Sequence, residues 1–209
     1  MIKIDLHIHS KYSFDSHLEP KTIIEIAKKR NLDGIAITDH DSLKGSIEAK
    51  KISNDFLIIE GSEINTISGE ILAYGIQEEI RPNLLIEETI DQIHEQGGIA
   101  VTPHPYDLFR NRLHKNIVKG IDGIEVINAG CILSIFNILA FIKAREMKLP
   151  MTAGSDAHTK KDIGTAFTVF EPNDDVIKMI KNGLCRPEGK LSMPPIQPGS
   201  TMLRLLNKI

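Results

Sequence analysis

Residues 2–10 read IKIDLHIHS, an apolar run that ends in two histidines separated by one residue. The run from Ile2 to Ile8 predicts a β-strand, and residues two apart on a strand point to the same side. The imidazoles of His7 and His9 can therefore reach a common cation at the end of this strand. By itself, a histidine pair of this kind is weak evidence for a metal site.

Metal-binding types of side chain also end further predicted strands. The candidates are His40, Glu63, His104, Asp156 and His158, with Glu125 and Asn128 as weaker ones in and just after another strand. Asp39, beside His40, is expected to orient a histidine ring rather than to bind a cation. Because barrel active sites are built at the carboxyl ends of the strands, we expect these side chains to lie together. Mixed imidazole and carboxylate ligands suit zinc, manganese or iron, and their number implies two or three divalent ions.

Short apolar strands alternate with amphipathic stretches along the chain. Helices are predicted to begin at Pro20, at Ser42 as N-cap, at Leu84, at Ile132 and at Asp174. A hairpin turn is predicted at Ser68-Gly69. The strand–helix order favours an α/β fold with a parallel sheet, and about seven such units suit a closed or distorted barrel.

Length and composition limit the class of protein. The 209 residues, 41% hydrophobic and 25% charged, suit one globular domain, and the net charge of −3 argues against an extended nucleic-acid surface. The domain is predicted to cover residues 1–186, with 187–209 as a tail that packs on the barrel or on a partner. Cys131 and Cys185 fit a reducing compartment. The chain lacks a signal-peptide pattern and any long apolar segment, so we expect a cytoplasmic protein with no membrane partner.

Five segments together resemble the PHP family, the polymerase and histidinol phosphatase domain. In chain order they are DLHIHS at residues 5–10, ITDHD at 37–41, GSE at 61–63, Pro103-His104-Pro105, and GSDAH at 154–158. They span most of the chain in the family's order. The resemblance implies a single-domain, distorted (β/α)7 barrel with a trinuclear metal site at the carboxyl ends of its strands.

The resemblance also implies how ligands are shared. The first ion is surrounded by His7, His9, Glu63 and Asp156. The second is held by His40, His158 and Asp15. The third takes Glu63 and His104, with Glu125 or Asn128 to complete it.

Two departures from the family pattern bear on these assignments. Many relatives read Ser-Asp-Gly after the first motif, whereas this chain reads Ser13-Phe14-Asp15-Ser16, which displaces the acidic residue by one. Some relatives also carry a histidine near the strand of Glu125, and this chain has none there. These departures concern the position of Asp15 and the ligands of the third ion.

The implied activity is hydrolysis of a phosphate ester by a hydroxide that two cations generate from a shared water. Asp156 is the candidate for proton transfer, and His158 is its rival if it is not a ligand. Arg110 and Arg112 are candidate phosphate contacts, because a guanidinium matches the geometry of phosphate oxygens.

The substrate is expected to be a small phosphorylated metabolite or a nucleotide, since the chain is short and only 5% aromatic. Two alternatives stay open: a histidinol-phosphate phosphatase or exonuclease-like phosphodiesterase, and a non-catalytic metal-binding regulatory module. The choice of metal, the distinction between monoesters and diesters, and the oligomeric state are left open by the sequence.

Overall fold

The computed structural model describes residues 1–53, 55–108, 117–172 and 175–189. Within these ranges the strands are β1 (Ile2–Asp5), β2 (Gly34–Ile37), β3 (Leu57–Thr66), β4 (Gly69–Tyr74), β5 (Ile99–Thr102), β6 (Gly123–Asn128), β7 (Met151–Gly154), β8 (Ala166–Phe170) and β9 (Cys185–Gly189). The helices are α1 (Pro20–Lys29), α2 (Lys44–Ile52), α3 (Ile86–Glu95), α4 (Ser134–Met147) and α5 (Val176–Lys181).

All nine strands belong to one sheet, in the order β7-β6-β5-β4-β3-β2-β1-β8-β9. Strands β1, β2 and β3 are mutually parallel, and so are β5, β6 and β7. Strand β4 folds back from β3 and pairs antiparallel with both β3 and β5. The predicted α/β barrel class is confirmed, but the predicted hairpin interrupts the parallel order that the strand–helix repeat suggests.

The sheet curves until its two ends meet, so that it forms a nearly closed barrel. Beyond β1 the chain pairs with the end of β7: the His9 N–H donates to the Ala157 carbonyl at 3.0 Å, and the Ala157 N–H donates to the His7 carbonyl at 3.3 Å. At the other end of these strands, β8 pairs antiparallel with β1. There the hydroxyl of Thr168 bonds to both the N–H and the carbonyl of Ala153. The predicted first strand is therefore shorter than Ile2–Ile8, but residues 7–9 still take part in closing the barrel.

Glycine at position 154 allows this closure. A Cβ there would lie 2.4 Å from the Cβ of His7 and 2.8 Å from a carboxylate oxygen of Glu125. Any larger residue would push β7 away from the end of β1. The sequence GSDAH therefore supplies both the close approach and the polar side chains that follow it.

Isoleucine-rich clusters hold the helices against the sheet. Helix α1 buries Ile23, Ile24 and Ala27 beneath its polar face, and its last turn carries Lys28 and Lys29 where the helix dipole favours cations. Fully burying a side chain such as Ile23 stabilises the fold by about 1.5–3 kcal/mol. These clusters fix the strand ends from which the polar residues project.

The predicted start of the second helix was wrong by one residue. Helix α2 begins at Lys44 with Leu43 as N-cap, and the side chain of Leu43 is buried in the core. The hydroxyl of Ser42 still accepts a hydrogen bond from the Lys44 N–H at 3.2 Å.

The predicted boundary at residue 187 falls inside β9, which pairs with β8 from Cys185 to Gly189. The rest of the predicted tail, residues 190–209, lies outside the described residues. In the part of the chain that the structure describes, no helix is long and apolar enough to cross a membrane.

Candidate metal centre

Five side chains converge in a buried group, which we call the inner group: four follow strands, and Glu63 lies within β3. The group comprises His7, His9, Glu63, His104 and Asp156, each less than 5% exposed. The Nε2 atoms of His7 and His9 lie 3.1 Å apart. Asp156 Oδ1 lies 3.7 Å from Nε2 of His7 and 3.4 Å from Nε2 of His9. The structure thus brings the two imidazoles, as predicted from their spacing, to one point beside the carboxylate of Asp156.

Glu63 lies at the centre of the inner group. Its Oε2 lies 3.3 Å from His7 Nε2, 3.2 Å from His9 Nε2 and 3.5 Å from His40 Nδ1. Its Oε1 lies 3.1 Å from His104 Nε2. One carboxylate thus faces four imidazoles through its two oxygens, which is the arrangement of a bridging ligand.

A second set, the outer group, lies toward solvent and comprises Asp15, His40 and His158. Asp15 Oδ2 is 3.0 Å from His158 Nε2 and 3.3 Å from His40 Nε2. The side chains are 30%, 11% and 23% exposed, in that order of residues. The structure therefore brings Asp15 beside His40 and His158, despite its displacement by one position in the sequence.

Hydrogen bonds to the second ring nitrogen orient several imidazoles. Nδ1 of His158 lies 2.9 Å from the backbone carbonyl of Asp156. A carbonyl can only accept, so Nδ1 carries the proton and Nε2 keeps a lone pair for a metal. Nδ1 of His9 bonds to the hydroxyl of Ser13, which also accepts from the His40 N–H. Ser13 was not anticipated, since a serine in a loop carries no distinguishing pattern.

Glu125 lies behind His7 rather than beside the other candidate ligands. Its Oε1 is 3.0 Å from His7 Nδ1, on the side of the ring opposite Glu63. Its Oε2 accepts from the His104 N–H and from the Asn128 side chain. Asn128 also donates to Asp156 Oδ2 at 3.1 Å. Both residues hold other members of the site in position, and their part in completing a third ion stays a prediction.

Glu70 lies where that third set of ligands was expected and was missed by the sequence analysis. Glu63 and His40 together with Glu70 offer three ligand atoms within 4.8 Å of one another. The hairpin register pairs Glu63 with Leu72 and Asn65 with Glu70, so Glu70 shares the face of Glu63. The predicted turn at Ser68-Gly69 fixes this register, so the sequence could have placed Glu70 on the same face as Glu63.

Asp39 acts on the histidines through the backbone rather than through a bond to an imidazole ring. Its carboxylate accepts hydrogen bonds from the backbone N–H and the hydroxyl of Ser10. Its backbone carbonyl accepts from the Glu63 N–H at 3.1 Å. Asp39 thus joins the ends of β1, β2 and β3 and positions His9 and Glu63 through the backbone.

Two of the candidate ligands have backbone angles in the left-handed region. The φ angles of His104 and Asp156 are 25° and 53°. Such conformations cost on the order of 1–3 kcal/mol in residues other than glycine, and they concentrate at functional sites.

The buried carboxylates of the site raise the pKa of the groups beside them, so these groups bind protons more readily. Burial lowers the pKa of His9, but its hydrogen bonds to Asp156 and Glu63 outweigh this and raise the pKa to about 9. Burial likewise opposes the change at His104, whose pKa is raised to about 9 by Glu63. Burial and the neighbouring charge of Glu63 raise the pKa of Glu70 to about 7.

This donor set fits divalent cations. Among the described residues, four groups place three or four ligand atoms within 4.8 Å: His9, Asp15, His40 and His158; His7, His9 and Asp156; His7, Glu63 and His104; and His40, Glu63 and Glu70. Nδ1 of His40 is buried and faces Glu63, and none of the described residues forms a hydrogen bond with it. A cation would satisfy that nitrogen and balance the buried carboxylates.

The site opens into a cleft of about 350 Å³. In the described part of the chain its lining consists of Phe14, Asp15, His40, Glu63, Glu70, His104, Asp156 and His158. Arg110 and Arg112, predicted to contact phosphate, lie outside the described residues.

Comparison with known proteins yields matches over most of the chain. The family model described as "PHP domain" matches residues 5–145, and a second described as "PHP-associated" matches residues 134–185. An uncharacterized protein of Methanocaldococcus jannaschii is 43% identical over 141 residues, which are 61% of this chain and 82% of that protein.

Solved structures of low identity share the fold. A two-domain protein from Bacteroides vulgatus, which contains a predicted PHP-like metal-dependent phosphoesterase, superposes with a TM-score of 0.74 at 19% identity. The match covers 90% of this chain and 64% of that one. Endonuclease Q, solved with a 27-mer duplex substrate that has an abasic lesion at the active site, superposes with a TM-score of 0.63 at 20% identity, covering 88% of this chain and 56% of the nuclease.

Proposed function

The chain belongs to the PHP domain family, and from that premise we propose that it is a metal-dependent phosphoesterase whose active site is the inner and outer groups together. The observation that carries the proposal is the placement of Glu63, one buried carboxylate that four imidazoles face within 3.5 Å. A bridging carboxylate of this kind serves two neighbouring cations, the arrangement used for in-line displacement at phosphorus.

The residues divide into two binding sets. His7, His9, Glu63 and Asp156 would hold one ion, and Asp15, His40 and His158 would hold a second. His104 and Glu70, with Glu63, offer a place for a third. Bound zinc, manganese or iron would supply a water of lowered pKa and positive charge for the phosphate oxygens.

The supporting residues keep these side chains in a fixed geometry. Glu125 holds the ring of His7 through Nδ1, and Asn128 holds Asp156 through Oδ2. Preorganisation of this kind lets the site stabilise the transition state without rearranging.

Asp156 is the residue we assign to proton transfer during hydrolysis. Its Oδ2 accepts from Asn128 while its Oδ1 faces His7 and His9. His158 is better suited to ligation, because its Nδ1 is committed to a backbone carbonyl and its Nε2 points to Asp15.

The substrate we propose is a small phosphorylated molecule, a nucleotide among the candidates. A cleft of about 350 Å³ is close to the lower end of the range for small-molecule sites, roughly 300–1,000 Å³. We retain Arg110 and Arg112 as proposed phosphate contacts. A cytoplasmic location also stays a prediction.

A phosphodiesterase acting on nucleic acid is the second candidate. The fold shared with endonuclease Q, which acts on a DNA duplex, favours it. The net charge of −3 favours the small substrate instead.

The proposal is tested with a panel of phosphomonoesters and phosphodiesters, assayed with added Mn²⁺ and after treatment with a chelator. We expect Mn²⁺-dependent release of phosphate from at least one monoester. Protein that binds metal yet turns over no ester in the panel would instead be the non-catalytic binding module.

A further inference from the structure

Phe14 is an apolar side chain held out at the edge of the cleft. It is 82% exposed, although both of its neighbours in the chain are fixed by the site. The Ser13 hydroxyl bonds to His9 and to the backbone N–H of His40, and Asp15 Oδ2 lies 3.0 Å from His158 Nε2. The backbone on either side therefore fixes where the phenyl ring is presented.

One face of the phenyl ring is already covered. Phe14 stacks on His40 with ring centroids 4.9 Å apart and an interplanar angle of 20°. The ring centroid of His40 in turn lies 4.7 Å from the ring centroid of His9. Phe14 thus ends a row of rings that begins inside the metal-binding cluster, and its remaining surface is open to solvent.

The other residues that line the cleft indicate which kind of chemical group could contact the open face of Phe14. Of the described residues that line the cleft, seven are ionisable and Phe14 alone is apolar. The ionisable residues suit a phosphate and its cations, whereas a phenyl ring suits a flat apolar or aromatic group attached to that phosphate. The two kinds of surface lie side by side: the ring of His40 separates the phenyl ring of Phe14 from the ring of His9.

We propose that Phe14 is a specificity-determining residue that stacks on a planar aromatic ring of the substrate, such as the nucleobase of a single nucleotide. The inference rests on the proposed function, because it assigns the non-phosphate half of the same substrate. The described residues offer one such ring at the cleft. Tyr12, in the same loop, is 38% exposed and does not line the cleft, and its hydroxyl bonds to Glu48. A single ring matches one base rather than a long strand.

The test compares two substrates that differ only in the base: adenosine 5′-monophosphate and ribose 5-phosphate. The ratio of their kcat/KM values is measured with Mn²⁺ for the wild type, for Phe14→Leu and for the control Tyr12→Leu. Phe14→Leu should lower the ratio roughly tenfold to hundredfold, the effect of removing one aromatic stacking partner from a base. Tyr12→Leu should leave the ratio at the wild-type value.

An unchanged ratio in Phe14→Leu overturns the inference. An equal loss with both substrates also overturns it, because Phe14 would then act only by holding His40. In either case turnover of the two esters would show that the proposed function stands.

Binding is measured separately from turnover with Phe14→Trp. The chain contains no tryptophan, so this substitution places a single indole fluorophore at the cleft. Adenosine 5′-monophosphate should quench its emission to saturation, and ribose 5-phosphate should not. Quenching without turnover of any ester would contradict the proposed function and keep the stacking role, whereas turnover without quenching would contradict the stacking role alone.

Discussion

The inner and outer groups differ in how deeply their side chains are buried and in how far they depend on a loop. His7, His9 and Asp156 are almost wholly buried and follow β1 and β7, whose ends are bonded to each other. His40 and Asp15 are partly exposed, and Asp15 depends on the loop between β1 and α1. The segments that follow the strands therefore set the inner ligands together with His40 and His158, while the loop sets Asp15 and the ring of Phe14. We infer that variation at Phe14 changes substrate choice without disturbing the inner ligands.

The largest effect is expected from Glu63→Gln in the inner group. The substitution keeps the shape of the side chain but removes the negative charge that four imidazoles face. Hydrolysis should fall roughly 10³-fold or more, at least as far as after loss of one transition-state hydrogen-bond donor. The initial rate and the metal content of the purified protein are measured together.

Glu60→Gln is the matched control for Glu63→Gln. Glu60 lies on the same strand and pairs with Lys50 at the surface, 2.8 Å away. Its variant should keep both the rate and the metal. Similar losses in the two variants would mean that the damage comes from the strand and not from the bridging position.

His40→Ala tests the outer group and is expected to have the next largest effect on activity. Activity should fall about 10²–10³-fold, as for loss of one group that stabilises charge in the transition state. Because His40 is partly exposed, the melting temperature should stay near that of the wild type. Wild-type rates in this variant would remove His40 from the site.

Glu125→Gln should have a smaller effect, because Glu125 acts on the site through His7. Loss of a partner that orients a metal ligand costs about 10–100-fold in metal affinity or activity. Excess Mn²⁺ should recover much of the loss if affinity is the cause. A loss as large as that of Glu63→Gln, with no recovery, would make Glu125 a direct ligand.

The smallest effect is expected from Glu70→Gln, at the edge of the third set of ligands. A loss of about tenfold or less is expected, since Glu63 and His104 remain and the two main sets are complete. The metal content should fall by no more than one ion per chain. Loss of all bound metal would place Glu70 in the main cluster.

The candidate ligands at strand ends could be predicted because their pattern is local. His7 and His9 are two apart on one extended segment, and Asp156 and His158 repeat that spacing in a segment that opens with glycine. These patterns are visible without knowing how the chain folds. The barrel class followed in the same way from the alternation of strands and helices.

Other features could not be read locally because they depend on contacts between distant segments. Glu70 joins the site only once β4 has folded back onto β3. Glu125 was named as a candidate ligand from its place in a correctly predicted strand. The side of His7 that it contacts depends on how closely β6 and β7 approach β1. The bond between Asp39 and Ser10 likewise joins two strand ends that are far apart in the sequence.

Metal stoichiometry, followed together with hydrolysis, tests the central claim most directly. Protein freed of metal with a chelator is titrated with Mn²⁺ while bound ions per chain and the rate of phosphate release are recorded. Metal-free protein should be inactive, and the rate should rise steeply only as the second ion binds. Full activity in the metal-free protein, or with one ion per chain, would contradict a site in which Glu63 bridges two cations.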